Sequence, residues 1–586
     1  MILNQPGSGK TWKALLFSTV PGNRFFLIIV LLALSLPVWA LEDTTGSMDR
    51  PSAQPLPQPE YKSNQPPAGF ELPKLPEDLQ KQLEQRQLYI KTIHLTGNSV
   101  FPPAELAQLI APYQGRESTL AEVEQLRLLL TRYYVDHGYI NSGAVIAADA
   151  YQNGELTIRL VEGHIGAVRI KGTERLREGY VANRLLPEPE EPFNLQTLQD
   201  NYQLLLSDPL ISRMNGRIMP GAAPGSSVLD VDVTRAQPYR LSVFGNNQRP
   251  PSIGGEAFGA NGQVRNLTGW GDSLDFTYIN SAGSNRYSGG VSLPVTDSGL
   301  QAFFHFDEGA SMVQEQPLKR IDINSYVHAL EGGVSYPLIN TLRQRFSLGL
   351  LLATRENTTY LLGQPYSFVP GEATGRNQAT VWRMFQDFSQ RWNEHALNFH
   401  SSFSVGMPAL GATVASPVPA VLSSAYAQYP GSEFFAWLGQ GQYAWRLLED
   451  GTQLVMRGNA QLSDSALLPL ERIAIGGFNT VRGYRENTLV RDNGYSLSSE
   501  LHYTLFGNAD PNSHRLQLVP FIDYGAAWNY KTTGKGLFAI GLGLEWQLKP
   551  LFVQFYWGQK LTAPPTTQSG DIQDSGIHFN SRLDLL

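Results

Sequence analysis

From about Tyr239 onward, the sequence is a long series of short segments in which apolar and polar residues alternate. Each segment has about ten residues, and Gly, Asn, Asp and Pro separate neighbouring segments, as at the turns of antiparallel sheets. Segment 494–505 shows the pattern clearly, because its alternate positions divide into an apolar and a polar set. The apolar set is Leu497, Leu501, Tyr503 and Leu505, and the polar set is Ser496, Ser498, Glu500, His502 and Thr504.

Strands with one apolar and one polar face suit a sheet that has lipid on one side and water on the other. Inside a bilayer every backbone N–H and C=O group needs a partner, so such a sheet must close into a barrel. We count about sixteen segments, an even number as in bacterial single-chain barrels. They begin near residues 239, 256, 273, 286, 300, 326, 343, 378, 394, 433, 451, 494, 515, 536, 550 and 576. The fold class expected for residues 238–586 is therefore a membrane β-barrel of about sixteen antiparallel strands.

The composition agrees with a barrel. Charged residues make up 17% of the chain, below the roughly 25% of soluble domains, and aromatic residues make up 11%. A soluble β-sandwich with one wet face is the alternative, and the aromatic content and the number of strands disfavour it. The chain has no cysteine, which excludes a fold held by disulfides. Its net charge of −7 argues against a nucleic-acid partner.

Residues 1–40 have the features of a signal peptide, with three basic residues, no acidic residue and an apolar core at Phe25–Leu36. This core has 12 residues, whereas a membrane-spanning helix needs about 20. The small residues of Val38-Trp39-Ala40 place the cleavage site after Ala40. Residues 41–87 are rich in Pro, Gln and Ser and are expected to be a linker, with a weak helical pattern over residues 76–88.

Two α+β units are expected between the linker and the barrel, at residues 88–163 and 164–237. In the first unit, Thr119-Leu-Ala-Glu122 is a capping box that opens an amphipathic helix. In the second unit, helices are expected over Glu174–Leu186 and Leu195–Ser207. Strands are expected at Ile90–Leu95, Ala144–Ala147, Leu156–Val161, Ile165–Ile170, Gly216–Met219 and Ser227–Val233. Both units have the order β-α-α-β-β, which indicates an internal repeat.

Three phrases in this region resemble the POTRA domains of Gram-negative polypeptide transporters. They are Gly97-Asn-Ser-Val-Phe-Pro-Pro-Ala-Glu-Leu106, Tyr134-Val-Asp-His-Gly-Tyr139 and Val161-Glu-Gly-His-Ile-Gly-Ala-Val-Arg-Ile170. The third phrase resembles the junction between two such domains in the outer-membrane transporters of two-partner secretion. The resemblance implies two periplasmic POTRA domains, the first at residues 88–163 and the second at residues 164–237.

The barrel region carries a further resemblance, at Val481-Arg-Gly-Tyr484 and Phe521-Ile-Asp-Tyr-Gly525. The first motif lies in the long connection between the eleventh and twelfth expected strands, residues 464–493, which we refer to as the lumen loop. Both motifs resemble those of the superfamily that contains the two-partner transporters and the barrel-assembly insertases, in which this loop folds into the lumen. The resemblance implies a lock with an Arg–Asp pair at its centre. Its residues would be Val481, Arg482, Gly483, Tyr484, Phe521, Asp523 and Gly525.

The chemistry of these residues is compatible with a lock. A guanidinium is always charged and can hold a carboxylate through two parallel hydrogen bonds. Breaking such a pair in a narrow lumen would leave a poorly solvated charge. Gly483 allows the backbone to turn, and Tyr484 can pack its ring and still donate a hydrogen bond. From the residues alone, ordinary solvated lumen charges would be favoured for Arg482 and Asp523, and it is the resemblance that favours the lock.

Three further features bear on the resemblance. Asn266-Leu-Thr-Gly-Trp-Gly-Asp272 resembles the turn that these families place before an early strand. Family barrels often end in Phe, whereas here the terminal Leu586 is out of phase with the alternating residues before it. This departure weakens the case for recognition by the barrel-assembly machinery, a partner expected during biogenesis. The Pro-rich segment 41–72 does not resemble the plug helix of many two-partner transporters, so the presence of a plug stays open.

The resemblance implies a transporter of the haemolysin and adhesin type in the outer membrane of a Gram-negative bacterium. It would export an unfolded exoprotein that carries an N-terminal secretion domain, and whether it also activates this partner stays open. The alternative is an outer-membrane insertase, which shares the lock but has more POTRA units than the two that fit before Tyr239. A passive channel for small solutes would leave both units without a purpose. The other expected partner is the lipid bilayer.

No enzymatic function is expected. The chain has no Gly-x-Ser-x-Gly elbow and no His-Glu-x-x-His motif, and its 10 His residues are scattered without metal-ligand spacing. Carboxylates such as Glu500 and Asp523 are expected in any polar lumen. No cofactor and no metal site are therefore expected.

Overall fold

The computed structural model describes residues 87–187, 191–223, 225–423, 427–508, 514–565 and 570–585. The expected signal peptide, and all of the expected linker except Gln87, lie outside the described residues. The described chain forms two α+β units followed by a closed β-barrel. None of the helices in these ranges is long and apolar enough to cross a membrane.

The first α+β unit combines two helices with two small sheets. Its elements are β1 (Gln87–Ile90), β2 (Thr92–Thr96), α1 (Pro103–Ile110), β3 (Arg116–Thr119), α2 (Leu120–Asp136), β4 (Gly143–Val145), β5 (Tyr151–Gln152) and β6 (Glu155–Val161). The expected capping box opens α2, because Thr119 Oγ1 accepts a hydrogen bond from Glu122 N and the Glu122 carboxylate accepts one from Thr119 N. The buried core includes Leu126, Leu130 and Tyr134 on one face of α2.

The strand expected over Ile90–Leu95 is split at Lys91. β1 pairs with β3, whereas β2 pairs in parallel with β6, so the two halves belong to different sheets. The Lys91 N–H donates instead to the carbonyl of Gly154, at 2.7 Å. The sequence pattern could not reveal this break, because it depends on which distant strand each half pairs with.

The second α+β unit has β7 (His164–Lys171), α3 (Glu178–Leu185), α4 (Leu195–Leu206), β8 (Ile211–Pro220) and β9 (Ser226–Arg235). The expected start of the first helix at Glu174 is wrong, because Glu174 has a φ of 52°, which lies in the left-handed region. In this sheet β9 runs parallel to β7 and antiparallel to β8. In the first unit β6 likewise runs parallel to β2 and antiparallel to β4, so the two units share one topology.

Sixteen antiparallel strands close the barrel in sequence order. They are β10 (Tyr239–Asn246), β11 (Ala257–Arg265), β12 (Ser273–Ser281), β13 (Ser284–Pro294), β14 (Gln301–Met312), β15 (Ile323–Asn340), β16 (Gln344–Leu361), β18 (Arg376–Arg391), β19 (His395–Met407), β20 (Phe435–Arg446), β21 (Gln453–Ser463), β24 (Asn493–Phe506), β25 (Arg515–Trp528), β26 (Lys535–Leu548), β27 (Leu551–Lys560) and β28 (Ile577–Asp584). Each begins within three residues of its expected start. β28 pairs with β10 and closes the wall, which confirms the predicted fold class.

Three short strands lie outside the wall. β17 (Gln364–Pro365) pairs antiparallel with the last residues of β16. β22 (Ile473–Ile475) pairs with β23 (Leu489–Arg491) inside the lumen loop. The lumen loop joins β21 to β24, the eleventh and twelfth barrel strands, as expected. Because the second α+β unit leads directly into β10, this connection lies at the end of the barrel opposite to that unit, on the outer side.

The two faces of the strands are those that the alternation predicts. On β24, Leu497 is 58% exposed on the outer surface, whereas Glu500 is 1% exposed on the lumen side. On β26 the exposed large apolar side chains are Ile540, Leu542, Leu544 and Trp546. An apolar exterior and a polar interior are the arrangement required of a barrel in a bilayer.

Candidate functional site: the lumen loop and its contacts with the barrel wall

The lumen loop turns back into the barrel. Its apolar side chains are buried against the inward face of β25 and β26. This cluster consists of Ile473, Ile475, Val481, Tyr484 and Leu489 of the loop with Ala527, Leu537 and Ala539 of the wall. β22 and β23 pair with each other and so hold together the two ends of the loop segment 473–491. The tip of the loop, with Arg482, is thereby carried deep into the lumen.

Arg482 forms a two-pronged ion pair with Asp523 of β25. Arg482 Nε donates to Asp523 Oδ2 at 2.8 Å, and Nη2 donates to Oδ1 at 2.8 Å. The backbone N–H of Arg482 also donates to Asp523 Oδ2, at 2.9 Å. Only 3% of the Arg482 side chain and 0% of the Asp523 side chain are exposed. These three hydrogen bonds to one buried carboxylate fix both the side chain and the backbone of Arg482.

A second carboxylate and a hydroxyl complete the polar surroundings of Arg482. Arg482 Nη2 lies 2.8 Å from Glu500 Oε1 of β24, and it donates to Ser498 Oγ at 2.9 Å. The Ser498 hydroxyl in turn donates to Asp523 Oδ1 at 2.7 Å. Arg457 of β21 donates to Glu500 Oε1 at 2.5 Å. Two buried carboxylates of the wall therefore face two cations, one from the loop and one from the wall.

Two aromatic rings cover the Arg482 guanidinium. Its central carbon lies 3.7 Å from the centre of the Phe521 ring and 4.8 Å from that of Tyr556. The negative face of an aromatic ring attracts a cation, and the attraction is larger where water is excluded. Phe521 therefore stabilises the Arg482 guanidinium, which also pairs with Asp523 two residues further along β25.

The backbone of the loop approaches the wall most closely at glycines. Gly483 has a φ of 91°, and a Cβ built on it would lie 2.8 Å from the carbonyl oxygen of Gly558. The Gly483 N–H donates to His578 Nε2 of β28 at 3.1 Å. On β25, a Cβ built on Gly525 would lie 2.9 Å from Val481 Cγ2 and 2.6 Å from Ile475 Cγ2. A side chain at any of these glycines would push the loop away from the wall.

Tyr484 is fully buried and links the loop to the outer ends of β26 and β27. Its hydroxyl donates to the carbonyl of Thr562 at 2.7 Å or to that of Phe538 at 3.0 Å. The next residue, Arg485, binds Asp574 through Nε at 2.5 Å and Glu315 through Nη1 at 2.8 Å. The loop is therefore held over several strands in addition to the Arg482 contact.

The structure brings together all seven residues named for the lock from the sequence. Side chains that the sequence did not predict include Ser498, Tyr556 and His578, which contact lock residues, and Arg457, which pairs with Glu500. For Ser498 a signal was available, because it lies on the polar face of segment 494–505 with Glu500. In the sheet, Ser498 pairs directly with Asp523. The other three lie on separate strands, and no spacing in the sequence links them to Arg482.

At the periplasmic end of the barrel, the turn Asn266–Asp272 contacts the second α+β unit. The carbonyl of Gly269 accepts a hydrogen bond from Arg177 N at 3.1 Å, and the Arg177 guanidinium lies 3.4 Å from the centre of the Trp270 ring. Asp272 closes the turn by accepting from the backbone N–H groups of Leu267 and Thr268 at 3.0 and 2.9 Å. Partial burial would raise the pKa of Asp272, but the hydrogen bond from the Thr268 hydroxyl, together with those from the backbone N–H groups, outweighs it and lowers the pKa.

A cavity of about 660 Å³ lies between the second unit and the periplasmic turns of the barrel. Its lining is polar, with Arg184, Arg265, Arg345, Asp208 and Asp297 among the charged residues. The second α+β unit therefore lies beside the periplasmic mouth of the barrel, whereas the lumen loop enters the barrel from the opposite end.

Family models match most of the described chain. Residues 225–548 match the family "Haemolysin secretion/activation protein ShlB/FhaC/HecB", and residues 88–163 match "POTRA domain, ShlB-type". Among curated relatives, the heme/hemopexin transporter protein HuxB of Haemophilus influenzae is 22% identical over 85% of this chain and 86% of its own. The outer membrane transporter CdiB of Dickeya dadantii is 22% identical over 82% of this chain and 84% of its own.

A solved structure has the same fold. CdiB from Escherichia coli aligns with a TM-score of 0.65 and 19% identity, over 89% of this chain and 92% of that chain. The relatives are transporters by name, so the insertase alternative is not favoured. The chain therefore belongs to the haemolysin secretion/activation family, and it is an outer-membrane transporter of two-partner secretion with its POTRA region in the periplasm.

Proposed function

We propose that the lumen loop is the gate of this transporter and that the Arg482–Asp523 pair sets how readily it opens. The observation that carries the proposal is the burial of this pair inside the barrel, with three hydrogen bonds to one carboxylate. The loop lies folded inside the barrel and is held to the wall, and in this proposal export of a polypeptide requires it to move. Separating Arg482 from Asp523 and Glu500 would leave buried charges unpaired. The pairing of these charges therefore stabilises the closed state.

In this proposal the exported partner is an unfolded exoprotein with an N-terminal secretion domain. The POTRA region, residues 88–163 and 164–237, captures it in the periplasm, and a sheet edge of the first unit provides backbone groups for strand addition. The polar cavity beside the turn Asn266–Asp272 lies on the route from the POTRA region to the lumen. No ATP is available in the periplasm, so folding of the partner outside the cell gives the passage its direction.

Three other assignments belong to the same proposal. Residues 1–40 direct export of the transporter itself, residues 41–87 act as a linker, and the barrel-assembly machinery inserts residues 238–586 into the bilayer. The chain acts as a transporter without catalysis or cofactor. Activation of the partner during passage is a separate property that an assay of the secreted protein would reveal.

Secretion of a candidate exoprotein into the medium tests the proposal. We expect Arg482→Ala to change the secreted amount at least severalfold, and deletion of residues 88–163 to trap the exoprotein in the periplasm. Arg491→Ala is the matched control, because Arg491 lies in the same loop and donates to the carbonyl of Val490. Secretion by Arg482→Ala equal to that by Arg491→Ala would contradict the gate. A loss of other outer-membrane barrels on depletion of the protein would instead support an insertase.

A further inference from the structure

A second buried ionic site holds the lumen loop, on a different part of the wall. Glu471 ends a short 3-10 helix, Pro469–Glu471, in the first part of the loop. Its carboxylate accepts a hydrogen bond from Arg383 Nη2 of β18, and Glu471 Oε1 lies 4.0 Å from Arg355 Nε of β16. Only 3% of the Glu471 side chain is exposed. The loop therefore supplies an acidic group to a pair of arginines on the eighth and seventh barrel strands.

Without the loop, this part of the barrel wall would carry one positive charge that no nearby carboxylate balances. Arg355 donates to Glu331 Oε1 of β15 through Nε at 3.0 Å, and Arg383 Nη1 lies 3.7 Å from the same oxygen. Two buried arginines thus share the carboxylate of Glu331, because the other nearby wall carboxylate, Asp307, is paired with Arg286. Glu471 supplies the second carboxylate, and its removal would leave a buried guanidinium without a full counter-charge, which is costly.

Apolar packing and a buried aspartate support this contact. We define the first limb of the loop as residues 464–472 and the second limb as residues 473–491. In the first limb, Leu467 and Leu468 are fully buried against Val381 of β18 and Ala436 of β20. Asp492 accepts hydrogen bonds from Leu467 N at 3.0 Å and from Arg472 Nε at 2.9 Å, which ties the first limb to the base of the loop.

The two limbs are therefore fixed on different sides of the lumen with opposite charges. The first limb brings Glu471 to the two arginines of the seventh and eighth strands. The second limb brings Arg482 to an acidic surface on the twelfth and thirteenth strands. We propose that Glu471 is a second anchor of the gate, a positioning residue that holds the first limb through Arg383 and Arg355. This proposal rests on the proposed function of the loop, and it predicts that the two limbs can be released separately.

Thiol labelling in intact cells tests the second anchor. The chain has no cysteine of its own, so an introduced cysteine is its one thiol available for labelling. Ala466→Cys reports on the first limb and Val481→Cys on the second, since both positions are buried. A membrane-impermeant maleimide is added outside the cells. The folded state of each barrel variant is checked by its heat-modifiable migration in gels.

We expect Glu471→Gln to raise the labelling rate at position 466 on the order of tenfold, because it breaks a buried pair. The rate at position 481 should change by less than about twofold, because sites without shared partners act independently. Arg383→Gln should give the same pattern, and the Glu471→Gln, Arg383→Gln double variant should exceed neither single variant. Arg482→Gln should show the reverse pattern. Asp464→Asn, an exposed acid in the same limb, is the matched control and should leave both rates unchanged.

Two results would overturn the second anchor. One is an unchanged labelling rate at position 466 in both Glu471→Gln and Arg383→Gln. The other is a rise at both positions together in every variant, because the loop would then move as one rigid piece. Secretion of the exoprotein is measured in the same strains. Labelling as expected with equal secretion in all variants would leave the second anchor standing and would contradict only the gating role.

Discussion

The backbone of Gly483 at the tip of the lumen loop lies directly against the backbone of Gly558 in β27. A Cβ on Gly483 would lie 2.8 Å from Gly558 O, and a Cβ on Gly558 would lie 2.7 Å from Gly483 N. Neither distance is compatible with an unshifted backbone, so the closed loop requires glycine on both sides of this contact. The Arg482–Asp523 pair is adjacent to it, and its geometry depends on this close approach.

Substitution of the wall glycine should therefore open the loop without touching any charge. We expect Gly558→Ala to destabilise the closed loop by about 1–3 kcal/mol, the usual cost of overpacking a tight contact. Planar-bilayer recordings of the purified protein should then show a larger open fraction. Gly262→Ala in β11 is the control, because a Cβ there would meet nothing within 4 Å. Equal open fractions in the two variants would show that the close approach does not hold the loop.

Removing the wall carboxylate should release the same contact through electrostatics. Asp523→Ala leaves the buried Arg482 guanidinium with Glu500 as its remaining acidic partner. We expect the closed state to lose about 3–5 kcal/mol, as when one member of a buried pair is removed. In a double-mutant cycle on the open fraction, Arg482→Ala should add little to Asp523→Ala. Additive effects of the two substitutions would show that they do not act as a pair.

The turn Asn266–Asp272 should control the position of the second α+β unit. Trp270→Ala removes the ring that lies 3.4 Å from the Arg177 guanidinium, a contact of about 0.5–2 kcal/mol. We expect faster hydrogen exchange at Arg177 N, which donates to the Gly269 carbonyl, while the exchange of the barrel strands stays the same. Leu267→Ala is the control, because Leu267 lies in the same turn and is exposed. If Arg177 N exchanges at the same rate in Trp270→Ala as in Leu267→Ala, the contact between Trp270 and Arg177 does not hold the second α+β unit in position.

The first α+β unit should lose stability in acid through Glu162. This carboxylate accepts hydrogen bonds from Ser99 N at 2.8 Å, Val100 N at 3.1 Å and the Tyr134 hydroxyl at 2.9 Å. Partial burial would raise the pKa of Glu162, but the hydrogen bond from the Ser99 hydroxyl, together with these three, outweighs it and lowers the pKa below its ordinary value. The stabilisation is therefore present above the pKa of the unfolded chain and is lost as the pH falls through the lower pKa of the folded state.

Hydrogen exchange at Ser99 and Val100 between about pH 3 and pH 7, corrected for intrinsic rates, measures this effect. We expect protection to decrease toward the acid end in the wild type and to be low and independent of pH in Glu162→Gln. Glu117→Gln, at an exposed position on β3, should keep the wild-type profile. A wild-type profile in Glu162→Gln would rule out Glu162 as the titrating group.

The sequence was sufficient for those features that depend on local periodicity. A strand half in lipid must alternate with a period of two, so the starts of all sixteen strands and the faces of Leu497 and Glu500 could be read directly. The position of the lumen loop follows from counting the strands. Its fold-back into the lumen was an inference from the resemblance carried by Val481–Tyr484, and the buried contacts of Arg482 supply its physical basis.

Other features depend on long-range contacts or on single backbone angles, and no local pattern encodes them. Glu471 and Arg383 are 88 residues apart, and a single acid in the loop gives no sign of which strand it meets. Gly558 lies in an ordinary barrel strand, and only the folded loop shows why it has no side chain. The late start of α3 depends on the left-handed conformation of Glu174, a residue type that is common inside helices.

A reversible crosslink between the loop and the wall tests the gate most directly. Val481→Cys and Gly525→Cys place a thiol pair at the contact where a Cβ on Gly525 would lie 2.9 Å from Val481 Cγ2. The chain has no other cysteine, and the reduced form of the same variant controls for the crowding near Ile475. We expect the oxidised transporter to secrete no exoprotein and a reductant to restore secretion. Undiminished secretion by the fully oxidised protein would contradict the gate, because the partner would then pass with the lumen loop still fixed to β25.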